Sequence, residues 1–153
     1  VVKEILDKAG AVGFPKTSGS KGIHIYVPLG QKYTYEQARM FAQVVASMVH
    51  RRLPKFTSIE RSVDKRKKLL YIDYLQNIKG KTLACAYSVR PKPGATVSAP
   101  LLWEEVKEGL HPSQFHIKNM PERAQKMGDL FKDTLGKGID MKSAIEKLAK
   151  SSE

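Results

Sequence analysis

At 153 residues the chain has room for one compact domain with a sizeable core and is short for two. Its 27 Lys and Arg against 15 Asp and Glu leave a formal charge of +12, which points to a polyanionic partner, nucleic acid or nucleotide, over a surface charged for solubility alone. No apolar run approaches a membrane span and the start shows no signal-peptide pattern, while the single cysteine, Cys85, excludes an internal disulfide and fits a small buried thiol in a reducing cytoplasm.

The opening "VVKEILDKAGA" places Val1, Val2, Ile5 and Leu6 at helical spacing and Gly10 at the stop, so it predicts the last turns of an amphipathic helix. Neither a Met nor an N-cap residue precedes it, and the chain is expected to be a piece of something larger. A short strand over Val12–Pro15 is expected next, followed by the polar turn "TSGSKG" and a second strand in "GIHIYVPL". There Ile23, Ile25, Val27 and Leu29 alternate with His24 and Tyr26. "TYEQARMFAQVVASMVHRRL" predicts the long helix. Thr34 and Gln37 form a capping box, Ala38, Phe41, Ala42, Val45 and Met48 form the apolar stripe, and Pro54 ends it.

Strands are expected in "FTSIERS", "KLLYIDYLQN" and "TLACAYSVR", with a Pro/Gly-rich loop over Arg90–Pro100. "LLWEEVKEGL" predicts a short helix that Trp103 packs onto the core, with Glu104 and Glu105 as favourable charges in its first turn. "PERAQKMGDLF" predicts another helix, opened by Pro121 where a missing N–H costs nothing. "IDMKSAIEKLAK", with Met141, Ile145 and Leu148 on one face, predicts a terminal helix. Strands and helices mix without strict alternation, so the fold class is α+β, a mixed or antiparallel sheet flanked by helices.

Three features carry chemistry. "FPKTSGSKGIHIYVPL" sets a Ser/Gly/Lys turn before a strand, so it lacks the helix N-terminus of a phosphate-loop ATPase. Its residues read equally as an anion nest, with Ser18 and Lys21 adding a hydroxyl and a charge, or as an ordinary hairpin turn with a solvated lysine. Asp73 lies in an apolar run, where burial demands a cationic partner: a lysine or arginine, or a divalent ion held against a triphosphate. Arg66 before that run, Gln76 after it and Arg90 at the end of the next suit phosphate contact. His24 faces away from the Ile/Val stripe and reads as a ligand contact or a structural histidine. His24, His50, His111, His116 and Cys85 show no zinc-ligand spacing. Lys65–Lys68 reads as a solvated face or a nucleic-acid contact.

"FPKTSGSKGIHIYVPL", "ERSVDKRKKLLYIDYLQNIKGKT", "AYSVRPKPGATVSAPLLWEEV" and "PERAQKMGDLF", in this order over residues 10–131, resemble successive motifs of the polymerase domain of bacterial DNA ligase D, in the archaeo-eukaryotic primase superfamily. The resemblance implies a primase-polymerase fold and a nucleotidyl transferase that adds nucleotides, often ribonucleotides, at DNA breaks in bacterial non-homologous end joining. It implies Mn2+ or Mg2+ with a nucleoside triphosphate. Implied partners are DNA ends or gapped duplex, a Ku-type end-binding protein and a ligase domain of the same polypeptide, in the bacterial cytoplasm at the nucleoid. It assigns Ser18 and Lys21 to the triphosphate, Asp73 to the third catalytic, metal-binding carboxylate, and Arg66, Gln76 and Arg90 to the nucleotide site. His24 matches the histidine of the superfamily's Ser-x-His-type motif.

The family's Asp-x-Asp pair occurs nowhere in the 153 residues, so the chain taken alone is expected to be inactive. Residues 1–135 are expected to be the C-terminal part of a primase-like domain, and 136–153 a terminal helix or the start of a linker. Two alternatives stay open: a non-catalytic nucleic-acid-binding module, and a stand-alone relative of the primase superfamily.

Overall fold

The computed structural model describes residues 1–151. It is α+β, with four α-helices and two small two-stranded sheets among those residues. The chain divides into two compact units. The first takes Val1–Val12, Leu29–Lys81 and the chain from Gly138, and the second takes Gly13–Pro28 and Thr82–Lys137.

In the first unit, α1 (Val2–Ala9), α2 (Tyr35–Arg52) and α4 (Met141–Lys150) pack together. Ile5, Leu6 and Ala9 of α1 are buried, and Gly10 stops the helix in the left-handed conformation, its N–H reaching back to Asp7 O. Thr34 and Gln37 form the capping box on α2, and Glu36, beside the Thr34 hydroxyl, has its carboxyl held below the ordinary value by hydrogen bonds. The most buried residues of α2 are Phe41, Ala46 and Val49, so its inward stripe is rotated from the expected one. Asp140 caps α4 by accepting from Ser143 N at 2.8 Å, and Met141, Ala144 and Leu148 are buried.

The strands of this unit are shorter than the apolar runs predict. β3 (Thr57–Ser58) and β4 (Leu70–Tyr71) pair in parallel over two residues. "KLLYIDYLQN" leaves the ladder after Tyr71 because Asp73 Oδ1 accepts from Leu75 N at 3.0 Å, an Asx-type turn that competes with strand pairing.

In the second unit, β1 (Phe14–Thr17) and β2 (Ile23–Tyr26) form an antiparallel hairpin, with Phe14 opposite Tyr26 and Lys16 opposite His24. β2 seals no apolar face: Ile23 is exposed and His24, Ile25 and Tyr26 are all half-buried. The other side of β1 is covered by residues 99–101, where Thr17 N donates to Ala99 O at 2.8 Å and Leu101 N to Pro15 O at 2.9 Å.

That covering segment falls partly in the stretch expected to be a loop. Residues 90–94 are irregular, but Thr96 through Leu101 are all buried, with isolated β-bridges at Thr96, Val97 and Pro100. Arg90 N donates to Thr96 O at 2.7 Å and Val97 N to Phe115 O at 2.8 Å, so the segment is tied on both sides. Its small and polar residues tolerate burial because their side chains bond to backbone: Thr96 Oγ1 to Gly19 O at 2.6 Å, Ser98 Oγ to Thr17 O at 2.8 Å. Val97, Ala99, Leu101, Phe115 and Met120 form the core, with Tyr87, Val106 and Leu110 against it.

"TLACAYSVR" does not form the expected strand. Tyr87 sits at φ 65, outside strand geometry, and Ser88 turns back to Cys85 O through both its N–H and its hydroxyl. Cys85 is exposed rather than buried. The expected helix at "LLWEEVKEGL" is a single 3-10 turn, Trp103–Glu105, and Trp103 Nε1 donates to Gly13 O at 2.7 Å. α3 (Met120–Met127) starts with Pro121 in its first turn as expected.

Candidate functional site

The turn between β1 and β2 is built on Ser18. Its side chain is buried, and its Oγ accepts from Ser20 N and Gly22 N, each at 3.1 Å, while its own N–H donates to Gly22 O at 2.8 Å. The expected nest of outward amides is thereby changed: the Ser20 and Gly22 N–H groups are spent inward on Ser18. Gly19 is at φ 66, and a Cβ there would lie 2.5 Å from Arg90 Cγ and 3.1 Å from the Ser98 nitrogen. Arg90 Nη1 donates to Ser18 O at 2.9 Å, and Thr96 Oγ1 holds Gly19 O, so two side chains grip the turn from beneath. Lys21 stands exposed at its tip.

Behind the turn lies a residue that composition and motif reading passed over. Lys16 is 0% exposed. Its Nζ donates to Ser98 Oγ at 2.5 Å and to Ala84 O at 2.8 Å, lies 3.2 Å from His24 Nδ1, and sits 5.7 Å from the Tyr26 ring centroid. Burial pulls the Lys16 ammonium down to about 8, with Cys85 opposing and Arg90 adding to the effect. Burial likewise pushes the neighbouring Tyr26 phenol up. The signal available in the sequence was period two: Lys16 shares a strand face with Phe14, an inward position for a charge.

Arg66, Asp73 and Gln76 belong to the first unit, whereas Ser18, Lys21, His24 and Arg90 belong to the second. In the first unit the Arg66 guanidinium stacks 4.4 Å over the Tyr71 ring, and its buried Nε finds no acceptor among the described residues. Asp73 is exposed and Gln76 half-buried, so the cost of burying a carboxylate in an apolar strand does not arise for Asp73. Burial raises the Tyr71 phenol, and the charge and hydrogen bonding of Asp73 raise it further. Tyr71 thus links Arg66 and Asp73, a role that its place in an apolar run concealed. Lys67 and Lys68 follow Arg66 at φ 47 and 69.

Among the described residues, no three of His, Cys, Asp and Glu gather as a metal site. Asp73 offers one carboxylate, and one carboxylate does not by itself fit a divalent ion that needs several oxygen ligands. No helix of the described residues is long and apolar enough to cross a membrane.

The family model for the LigD primase-polymerase domain matches residues 1–131. The chain belongs to that family. It is 41% identical over 133 residues to the bifunctional non-homologous end joining protein LigD of Bacillus subtilis (strain 168), a match covering 86% of this chain and 22% of that protein. It is 32% identical over 123 residues to the multifunctional non-homologous end joining protein LigD of Pseudomonas aeruginosa, covering 80% of this chain and 15% of the relative. The chain therefore spans less than a quarter of the length of these relatives. Among solved structures, the polymerase domain from Mycobacterium tuberculosis ligase D in complex with DNA superposes with a TM-score of 0.81 at 29% identity. That match covers 90% of this chain and 48% of the other. The expected primase-polymerase fold is therefore the observed one.

Proposed function

We propose that the chain supplies the nucleotide-holding part of a nucleotidyl transferase that adds nucleotides at DNA breaks during non-homologous end joining. The observation that carries this is the Ser18–Gly22 turn, whose backbone is gripped by Arg90 and Thr96 while Lys21 stands free of that framework at the tip. A turn fixed in advance loses little conformational freedom on binding an anion. Lys21 supplies a point charge to the triphosphate, and Ser18 shapes the turn around it. Arg90, bound on one side to Ser18 O, and Arg66, held flat on Tyr71, offer guanidinium N–H groups to phosphate oxygens. His24, in the same unit as the turn, and Gln76, in the same unit as Arg66, are further proposed nucleotide contacts.

Asp73 contributes one carboxylate to the reaction. The chain has no Asp-x-Asp, so it is not expected to turn over by itself, and the Mn2+ or Mg2+ of the reaction requires further ligands. DNA ends, a Ku-type protein and a ligase domain of the same polypeptide are the proposed partners, with the bacterial nucleoid as the place of action. The charge of +12 supports a DNA-facing surface. The test is nucleotide incorporation on a gapped duplex by the protein that carries this sequence. Asp73→Ala should abolish incorporation and leave DNA binding intact; unchanged incorporation would refute the assignment.

One observation favours a second reading: no metal-binding cluster exists among the described residues. A non-catalytic nucleic-acid-binding module would bind the same duplex with no incorporation under any metal.

A further inference from the structure

The Lys16 ammonium has three N–H donors and three polar atoms around it: Ser98 Oγ at 2.5 Å, Ala84 O at 2.8 Å and His24 Nδ1 at 3.2 Å, whose role as donor or acceptor depends on the ring tautomer. The first two fix the direction of donation. A carbonyl oxygen can only accept, and Ser98 Oγ already sends its own hydrogen to Thr17 O at 2.8 Å. Lys16 must therefore donate to both, which leaves its third N–H for the imidazole nitrogen.

We propose that Lys16 is a positioning residue that fixes the tautomer of His24, holding Nδ1 as an acceptor and the ring proton on Nε2. An imidazolium, or the neutral tautomer protonated at Nδ1, would set N–H against N–H beside a lysine that no water reaches. That arrangement would cost the ammonium its third acceptor in a buried place. In that tautomer the ring's N–H is on Nε2, a donor of the kind a phosphate oxygen accepts. This last step rests on the nucleotide reading given above; the tautomer itself does not.

Lys16 must be an ammonium for the chain of donors to run this way. Were it neutral, two N–H groups would serve Ser98 and Ala84, and its lone pair would accept from Nδ1–H, reversing the tautomer. The ammonium is the major form at neutral pH with a pKa of about 8, and the titratable or charged neighbours that act on it are Cys85 and Arg90. The chain of bonds is continuous from Thr17 O through Ser98 Oγ and Lys16 Nζ to His24, so the buried segment 96–101 sets the state of a side chain on β2.

The test is two-bond 1H–15N correlation of the histidine rings at pH 7 in the nucleotide-free protein, with His24 assigned by loss of its signals in His24→Gln. The expected pattern is a pyrrole-type Nε2 and a pyridine-type Nδ1. A pyrrole-type Nδ1, or two equivalent protonated nitrogens, overturns the proposal, and this needs no substitution at Lys16. In Lys16→Met the tautomer balance should shift toward the form protonated at Nδ1, whereas a merely structural lysine would leave the His24 pattern unchanged. ATP titration separates the two claims. Loss of one hydrogen bond in His24→Leu, which has no donor, should weaken ATP about five- to tenfold. Equal ATP affinity beside the expected tautomer would refute the ligand role and leave the tautomer assignment standing.

Discussion

Arg90 Nη1 donates to the carbonyl oxygen of Ser18 at 2.9 Å, joining residues 72 positions apart. The arginine therefore acts on the turn's backbone, and under the proposed function its other N–H groups serve the triphosphate. Arg90→Lys keeps the charge but loses the planar fork that serves both directions. ATP affinity should fall about tenfold, the equivalent of ~1.4 kcal/mol, in a calorimetric titration. Global stability in urea should fall by less than that.

Gly19 tests the same grip from the other side. Alanine there meets both the left-handed backbone at φ 66 and Arg90 Cγ at 2.5 Å. Gly19→Ala should destabilise the protein by about 1–3 kcal/mol in chemical denaturation. It should also weaken ATP, since Arg90 must move to admit the methyl group. Gly80→Ala, at φ 85 but with open space around it, carries only the backbone penalty and is the control.

Arg123 and Glu105 form a bidentate pair, Nη1 to Oε1 at 2.7 Å and Nη2 to Oε2 at 2.6 Å, with side chains 18% and 28% exposed. Desolvation pushes the Glu105 carboxyl up, but hydrogen bonds from Arg123 and Leu102 N, with the charge of Arg123, hold it below its ordinary value of 4.5. A depressed folded pKa stabilises the protein above the unfolded value, and that stability is lost as pH falls through the folded value. Glu105→Gln should cost about 1.5–3 kcal/mol at pH 7. The gap from wild type should narrow as urea midpoints are measured below pH 4.5.

Lys16 has the opposite chemistry. Its folded pKa lies near 8 against an ordinary 10.5, so between these values the unfolded chain holds the proton that the folded protein has released. Stability relative to Lys16→Met should thus rise from pH 8 to 10.5, with a limiting slope of about 1.4 kcal/mol per pH unit for one proton. A flat difference would show that the ammonium is not desolvated.

Local signals in the sequence account for what was legible. α2 was readable because Thr34 and Gln37 cap it reciprocally, α1 because Gly10 stops it, and α3 because Pro121 opens it. Residues 96–101 were not, because Thr, Ser, Ala and Pro carry no apolar period and their burial is made possible by partners such as Thr17 and Gly19, about 80 positions away. Asp73 was singled out for a burial cost it does not bear, since its own side chain turns the chain out of the strand. Lys16 illustrates the limit most clearly: a buried ammonium is viable only when its acceptors are in place, and Ala84 and Ser98 are distant in sequence.

The most direct test of the central claim is calorimetric titration of ATP into the wild-type protein and into Lys21→Ala, whose exposed side chain is outside the framework of the turn. Saturable binding in the wild type, weakened about tenfold in Lys21→Ala, is the predicted result. Equal affinities, or no saturable binding in the wild type, would contradict the assignment of the Ser18–Gly22 turn to the triphosphate.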